Sequence, residues 1–335
     1  MLSALYIAQV VVGIAILYWG AEWLIRGSAS IARAFGVKPL VVGLTVVAYG
    51  TSAPELAVAT ETALTHHQPI ALGTVIGSCA ANISLILGLT ALISPPTIDG
   101  RLIRREVPIL LGSAIAVPLL LRNGLLSKLE GGILIGCAVL FTIVTLTVSV
   151  RIDPDDELSP TEEDDLAKVK SAEESGVVHG GRGRPRASRT IAGLMTLIGL
   201  VLLVVGSNMF VRGGRGLAQE LQRGERMLGL TVISLGTALP ELIGSLVAAA
   251  RGHAALAVGS VIGSNLLNVF LVLGVTAYLQ PIRVGERMHL VDLVGLVAIT
   301  LLGVLMMRGS RRISRVEGGI LVAAYIGFIV SCAIL

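Results

Sequence analysis

Residues 43–56 read GLTVVAYGTSAPEL, and residues 229–242 read GLTVISLGTALPEL. At this constant offset of 186 positions, 9 of the 14 residues are identical, and 10 of the 18 residues in 71–88 match those in 257–274. The last apolar segments also correspond, because LEGGIL at 129–134 resembles VEGGIL at 316–321. Chance produces only a few such matches in an apolar chain, so the sequence contains an internal duplication.

The composition around these motifs is that of a membrane protein. Of the 335 residues, 54% are hydrophobic and 14% are charged, whereas soluble domains have about 25% charged residues. A nucleic-acid-binding protein is excluded, because such a protein needs a basic face with stacking aromatic residues. The three cysteines lie in apolar stretches and provide neither a disulfide scaffold nor a thiolate metal site. Ten stretches approach the roughly 20 apolar residues that a spanning helix needs, namely 3–25, 39–64, 70–93, 103–121, 129–150, 190–211, 227–250, 255–280, 289–307 and 316–335.

The duplication divides these ten predicted helices into two halves of five. Residues 1–150 and 191–335 form the two repeats, and residues 151–190 hold 10 acidic and 7 basic residues without an apolar period. Such a segment is predicted to be a disordered, charged linker. Because five is odd, the second half enters the membrane from the opposite side. We therefore expect an all-α protein with inverted repeats, discontinuous helices and a binding site at the midplane.

The distribution of Lys and Arg predicts the orientation. With the N-terminus outside and the linker in the cytoplasm, 18 of the 26 basic residues lie on the inner side, as the positive-inside rule requires. Arg308, Arg311, Arg312 and Arg315 are then expected at the inner-leaflet interface. The predicted location is the cytoplasmic (inner) membrane of a prokaryote.

Each repeat has a glutamate directly after a proline, halfway along an apolar stretch. These are Glu55 and Glu241. Proline breaks or kinks a helix, and an ionised carboxylate deep in a bilayer costs at least about 2.5 kcal/mol. No Lys or Arg lies between residues 38 and 101, and Arg251 is the only one between 226 and 283. The counter-charge for the two glutamates is therefore predicted to be a bound cation or protons.

Further oxygen donors follow in the next predicted helix of each half. Ser78 and Asn82 are four residues apart and share one helix face, and Ser264 and Asn268 repeat the pattern. Packing between helices is the alternative role for such small polar residues. Carboxylate, amide and hydroxyl oxygens are the ligands that Ca²⁺ prefers, and the same hardness argument applies to Na⁺. The candidate ligands are Glu55, Glu241, Asn82, Asn268, Ser78, Ser264, Thr51, Thr237 and Ser52.

The doubled motif Gly-Thr-Ser-x-Pro-Glu followed by Gly-Ser-x₃-Asn resembles the α-repeats of the cation/Ca²⁺ exchanger superfamily, specifically the prokaryotic Na⁺/Ca²⁺ exchangers. The resemblance implies a secondary antiporter that exports Ca²⁺ against Na⁺, with Glu55 and Glu241 binding both ions. It also implies alternating access by sliding of the first helix of each repeat, around residues 22–26 and 208–212. This sequence departs from the family pattern at Cys79, Ala238 and Asn268, and the last two leave the site with two carboxylates, not three, and one hydroxyl fewer.

Alternatives remain at the level of the sequence. Coupling to H⁺ or K⁺ on the same fold fits two carboxylates and two amides, and a cation channel is an alternative of a different class. An enzyme is not expected, because the sequence has no zinc-protease motif and Asp292 is the only aspartate well inside a predicted helix. The expected partners are Ca²⁺, Na⁺ and the lipid bilayer, with no cofactor, no nucleic acid and no obligate protein partner. The pattern assigns no role to Glu130 and Glu317.

Overall fold

The structure, a computed structural model, describes residues 2–35, 37–65, 68–98, 100–148, 189–220, 234–283, 290–309 and 311–334. Almost all of these residues are helical. The helices are α1 (Leu2–Phe35), α2 (Pro39–Thr51), α3 (Ala53–Leu64), α4 (Gln68–Ala80, continuing through Ala81–Ile86 to Leu87–Ile93), α5 (Gly100–Leu120), α6 (Lys128–Val148), α7 (Arg189–Glu220), α8 (Ser234–Ala250), α9 (Ala254–Leu267, continuing through Asn268–Leu273 to Gly274–Leu279), α10 (Leu290–Gly309) and α11 (Arg315–Ile334). Two short strands, β1 (Leu125–Leu126) and β2 (Ile282–Arg283), complete the described elements.

The described helices confirm a multi-pass helical membrane protein. Eight of them are long and apolar enough to cross a bilayer, and a ninth span is added if α2 and α3, which meet at a 40° bend, are counted together. The predicted span 227–250 lies partly outside the described residues, and its described apolar part is Gly236–Ala250. Residues 151–188 of the predicted linker also lie outside the described residues, whereas Arg189 and Thr190 begin α7.

Helices α1 and α7 are longer than the sequence predicts. Hydropathy ends the first span at residue 25 and the sixth at 211, but the helices continue to Phe35 and Glu220. With 34 and 32 residues, each is about 50 Å long, well beyond the roughly 30 Å hydrocarbon core. The prediction is wrong here because charged residues lower the hydropathy without ending the helix. Glu22 is buried in an ion pair and does not interrupt α1.

Helices α1 and α7 pack against each other through glycines. A Cβ atom added to Gly13 would lie 2.9 Å from the carbonyl oxygen of Gly206, and one added to Gly20 would lie 3.0 Å from that of Gly199. Since the contact positions increase along α1 and decrease along α7, the two helices are antiparallel. The offset of 186 exchanges Gly13 with Gly199 and Gly20 with Gly206, so the contact maps onto itself. Equivalent helices of the two repeats therefore pack about a pseudo-twofold axis.

Two short backbone pairings show the same symmetry at the ends of α5 and α10. Leu125 pairs with Arg283, and Thr97 pairs with Arg312. Thr97 and Leu125 flank α5, whereas Arg283 and Arg312 flank α10. The start of each helix therefore lies near the end of the other, and these two equivalent helices run in opposite directions. Inverted repeats require this arrangement.

The interior of the bundle is formed mainly by α9 and α4. In the α9 span, 94% of the residues are buried, against 22% in the α1 span. Helix α2 approaches α9 closely, because a Cβ on Gly43 would lie 2.5 Å from the carbonyl oxygen of Leu256 and one on Gly259 would lie 2.5 Å from that of Leu40. This packing places the centre of α2 next to α9. Helices α1 and α7 lie at the periphery.

Glu130 and Glu317 have a structural role that the sequence analysis missed. The Ser127 backbone N–H donates to Glu130 Oε2 at 2.7 Å, and the Ser314 backbone N–H donates to Glu317 Oε2 at 2.7 Å. In return, each serine hydroxyl accepts a hydrogen bond from the glutamate backbone N–H at 3.3 Å. These are capping boxes at the starts of α6 and α11. The Ser-x-x-Glu spacing is the sequence signal that reveals them.

Candidate functional site

The first glutamate follows a break between two helices. Helix α2 ends at Thr51, α3 begins at Ala53, and Ser52 lies between them. Pro54 therefore occupies the first turn of α3, where its missing N–H costs nothing. Glu55 lies in the same turn, where the helix dipole favours a negative charge. The sequence predicts the interruption from Pro54, and the structure places it two residues earlier.

The second repeat differs at the equivalent position. Helix α8 runs without interruption from Ser234 to Ala250, with Pro240 inside it. The sequence predicts a kink or a break at this proline, and the described part of α8 has no break. Ala238 occupies the position equivalent to Ser52, so the hydroxyl at the break in the first repeat is absent from the second.

The two glutamates lie close together in the interior. Glu55 and Glu241 are each 1% exposed, and their carboxylates are near enough to interact electrostatically. The Ser52 hydroxyl donates to Glu241 Oε1 at 3.5 Å. The Thr51 hydroxyl lies 3.4 Å from that of Ser264. These contacts join the α2–α3 break to both α8 and α9.

Several buried oxygen atoms of the predicted ligands lack a hydrogen-bond partner among the described residues. They are both carboxylate oxygens of Glu55, Oε2 of Glu241, the Ser78 hydroxyl, and the amide oxygens of Asn82 and Asn268. Ser78, Asn82, Ser264 and Asn268 are all fully buried, and Thr237 is buried on α8 one turn before Glu241. A buried polar atom without a partner costs about 1–3 kcal/mol. The amide nitrogens of Asn82 and Asn268 also lack a partner. Buried oxygens without a hydrogen-bond donor are available to a cation.

The two asparagines lie at irregular points in their helices. The i→i+5 segment Ala81–Ile86 in α4 begins one residue before Asn82, and the segment Asn268–Leu273 in α9 begins at Asn268. Such π-helical turns change the direction of side chains and are frequent at functional sites. The site therefore combines one broken helix with two locally widened helices, all within the apolar interior.

The basic residue nearest in sequence does not neutralise the glutamates. Arg251, at the end of α8, pairs with Glu22 of α1 through Nη2–Oε1 at 3.0 Å and Nε–Oε2 at 3.1 Å. Arg26 Nη2 lies 2.5 Å from the same Glu22 carboxylate. Among the described residues, no basic side chain pairs with Glu55 or Glu241. The sequence analysis missed the Glu22 cluster, although the i,i+4 spacing of Glu22 and Arg26 was a signal.

A groove runs along one face of α3. A cavity of about 670 Å³ follows α3 and is lined by Ala53, Leu56, Ala57, Thr60, Glu61, Leu64, Thr65 and Val275. These α3 residues share one face of the helix, whereas Glu55 is 1% exposed and lies on the opposite face. The equivalent face of α8 is covered, because Leu239, Ile243 and Val247 pack against the cluster that contains Leu17 and Leu24 of α1. The two equivalent faces thus differ in exposure, since that of α3 is open and that of α8 is packed against α1.

Known proteins resemble the chain over nearly its whole length. The family model described as "Sodium/calcium exchanger protein" matches twice, at residues 5–147 and 191–333. CaxA of Alkalimonas amylolytica is 34% identical over 95% of this chain and 96% of its own. The sodium/calcium exchanger MaX1 of Methanosarcina acetivorans is 28% identical, with 95% of each chain covered.

The fold also resembles a solved structure. The sodium-calcium exchanger NCX_Mj, soaked with Na⁺ and without Ca²⁺, superimposes with a TM-score of 0.81. The alignment covers 98% of this chain and 99% of that chain at 29% identity. The two matches of the family model agree with the duplication found in the sequence.

Proposed function

This chain belongs to the sodium/calcium exchanger family, and from that premise we propose that it exports Ca²⁺ from the cytoplasm in exchange for Na⁺ by alternating access. The family membership makes it a multi-pass membrane antiporter for Ca²⁺ or a related cation. The coupling ion, the direction and the ligands are the proposed part.

The main support is the pair of buried glutamates without a basic partner. Glu55 and Glu241 interact with each other, and like charges in a poorly solvated interior repel. One Ca²⁺ neutralises both carboxylates, as do two Na⁺. We propose that both ions use the same carboxylates, so that the two ions compete for the site. The remaining proposed ligands are Asn82, Asn268, Ser78, Ser264, Thr51, Thr237 and Ser52.

The number of bound Na⁺ decides whether exchange moves net charge across the membrane. Exchange of one Ca²⁺ for two Na⁺ moves no net charge, whereas a third Na⁺ held by hydroxyls and carbonyls makes transport electrogenic. The first repeat has Thr51, Ser52 and Ser78 for this purpose, while Ala238 and Asn268 weaken the second repeat. We propose three Na⁺.

The proposed topology has ten helices in two inverted groups of five, residues 1–150 and 191–335. The pseudo-twofold contacts between α1 and α7 and between α5 and α10 support the inversion. We count α8, the described part of the predicted span 227–250, as the tenth helix. In this topology the N-terminus lies outside, residues 151–190 link the repeats in the cytoplasm, and the protein spans a prokaryotic inner membrane.

Ion flux into proteoliposomes tests the coupling. We expect an outward Na⁺ gradient to drive ⁴⁵Ca²⁺ uptake, and K⁺ or H⁺ gradients of equal size to drive none. The control is Glu61→Gln in the groove, which removes a carboxylate outside the proposed ligand set. Uptake driven only by a pH gradient would replace Na⁺ by H⁺ as the coupling ion, and Ca²⁺ flux without any counter-ion would identify a channel.

A further inference from the structure

Three arginines converge where α5 begins and α10 ends. Arg104, Arg308 and Arg311 line a cavity of about 290 Å³ together with Gly100 and Ile103. A Cβ atom on Gly100 would lie 3.7 Å from Arg311 Cζ and 3.9 Å from Arg104 Nη2, so two guanidinium groups meet at the first residue of α5. None of the three arginines forms an ion pair with a described residue. Like charges at this separation repel each other unless an anion lies between them.

The backbone of Arg311 is unusual for a residue with a side chain. Arg311 has a φ of 53°, the only positive φ of a non-glycine residue in the described parts of the chain. At an offset of 187, its equivalent before the capping box of α6 is Gly124, with a φ of 74°. The first repeat thus fills this turn with the residue that adopts a left-handed conformation without strain. The second repeat has a strained arginine there, and such strain is concentrated at functional positions.

The cationic cavity exists at one end of the molecule. Arg308 is equivalent to Leu121, and Arg311 is equivalent to Gly124, so the corresponding turn after α5 offers neither positive charge. Since the backbone fold of the two turns is the same, folding alone does not require the arginines. Arg308 and Arg311 are therefore available for another role, such as binding an anion.

The position of the cavity identifies the source of the anion. The apolar span of α10 ends at Gly309, and that of α5 begins at Leu102, so the guanidinium groups lie at the boundary of the hydrocarbon core. Lipid headgroups occupy this level, and Arg binds phosphate through two parallel hydrogen bonds. The first turn of α5 adds its free backbone N–H groups and the positive end of the helix dipole. Ile103 gives the cavity an apolar wall.

We propose that this cavity binds the phosphate group of an anionic lipid headgroup through Arg104, Arg308 and Arg311. In the proposed topology the cavity faces the cytoplasmic leaflet. The bound lipid would tie the α5–α10 part of the bundle to the membrane, opposite the end where α5 and α10 are joined by β1 and β2.

The repeat supplies the test variants, because each arginine can be replaced by its own equivalent. Arg311→Gly relieves the left-handed strain and Arg308→Leu restores the residue of the first repeat, so both variants are expected to fold. The matched control is Arg122→Leu, which removes an exposed arginine at the other end of α5. The detergent-purified protein is heated with phosphatidylglycerol or phosphatidylcholine, and native mass spectrometry counts the retained lipids.

We expect phosphatidylglycerol, but not phosphatidylcholine, to raise the Tm of the native protein and of the control. Each of the two test variants should bind phosphatidylglycerol about fivefold more weakly, the loss expected for one arginine at a headgroup. Equal binding by Arg311→Gly and the control would overturn the proposal. So would a full Tm increase with inorganic phosphate alone, because the site would then bind a soluble anion. Neither measurement needs a transported ion, so both remain valid if the proposed exchange is wrong.

Discussion

The exposed face of α3 and the covered face of α8 occupy equivalent places in the two repeats, but their side chains differ. The positions of Ala53, Ala57 and Glu61, which line the groove, correspond to Leu239, Ile243 and Val247, which pack against α1. Small and charged residues leave the face of α3 open, whereas large apolar residues let α1 pack on the equivalent face of α8. The repeats thus share most of the proposed ligand residues and differ in how these two helix faces are covered.

The two peripheral helices are also held differently. Glu22 of α1 is fixed to the end of α8 by Arg251, but its equivalent on α7 is Asn208, whose side chain donates to the Val204 carbonyl oxygen of its own helix at 3.0 Å. The equivalent of Arg251 is Thr65. The ion pair therefore holds α1 over α8, and among the described residues no matching ion pair holds α7 over α3. The pair favours the arrangement in which α1 covers α8.

The largest effect on Ca²⁺ exchange is expected from Glu55 and Glu241, which are identical at equivalent positions of the two repeats. Glu55→Gln and Glu241→Gln each remove one of the two carboxylates, so we expect each to lower Ca²⁺ exchange about 100-fold or more, equivalent to about 2.7 kcal/mol. Flux in proteoliposomes measures the loss, and thermal unfolding verifies the fold. Glu61→Gln serves as the control. A large loss in only one of the two variants would mean that the repeats do not contribute equally.

Thiol labelling tests the difference in exposure between the equivalent faces of α3 and α8. In a background with Cys79, Cys137 and Cys332 replaced by alanine, we expect Ala57→Cys to react with a membrane-impermeant thiol reagent and its equivalent Ile243→Cys to react on the order of 100-fold more slowly. The reason is that α1 covers Ile243. Equal labelling rates of Ala57→Cys and Ile243→Cys, from opposite sides of the membrane, would show that the arrangements with either helix face exposed are equally populated.

Loss of the Glu22–Arg251 ion pair is expected to cause a smaller change in the labelling rates. Glu22→Asn and Arg251→Thr introduce the residues of the other repeat, and each should raise the labelling of Ile243→Cys relative to Ala57→Cys on the order of tenfold. The double variant should have no larger effect than either single one, because the same contact is lost. Asn208→Ala, on α7, is the control. If the ratio of the two labelling rates does not change, the Glu22–Arg251 ion pair contributes only to the stability of the fold.

The smallest effect is expected at the capping boxes. Ser127→Ala and Ser314→Ala each remove one helix cap and should lower the free energy of unfolding by about 1 kcal/mol. Because the two boxes have the same geometry, the two losses should be equal. Thermal unfolding in detergent measures them, and ion flux at a temperature where both variants are folded should not change.

The sequence alone predicts the duplication, the class of fold and the position of the two glutamates. These features depend on local patterns, namely the offset of 186, the apolar stretches and the prolines, and local patterns can be read directly. Whether the nine candidate residues are ligands stays a prediction. The structure adds that Thr51, Ser52, Ser264 and both glutamates lie together, which the inverted repeat made plausible but did not specify.

The features that the sequence analysis missed depend on distant contacts. Glu22 and Arg251 are 229 positions apart, so nothing local reveals that the pair extends α1 beyond its apolar part. The sequence predicts a kink or a break at each proline, but α8 accommodates Pro240 within a continuous helix, whereas the first repeat breaks at Ser52. The groove along α3 could not be predicted either, since it depends on which helix face α1 covers.

Ca²⁺ binding to the purified protein tests the central claim most directly. If Glu55 and Glu241 are neutralised by a transported cation, calorimetric titration should show one Ca²⁺ per chain, competition by Na⁺, and loss of binding in both Glu55→Gln and Glu241→Gln. Ca²⁺ binding that persists in either variant, or that Na⁺ does not displace, would contradict the account.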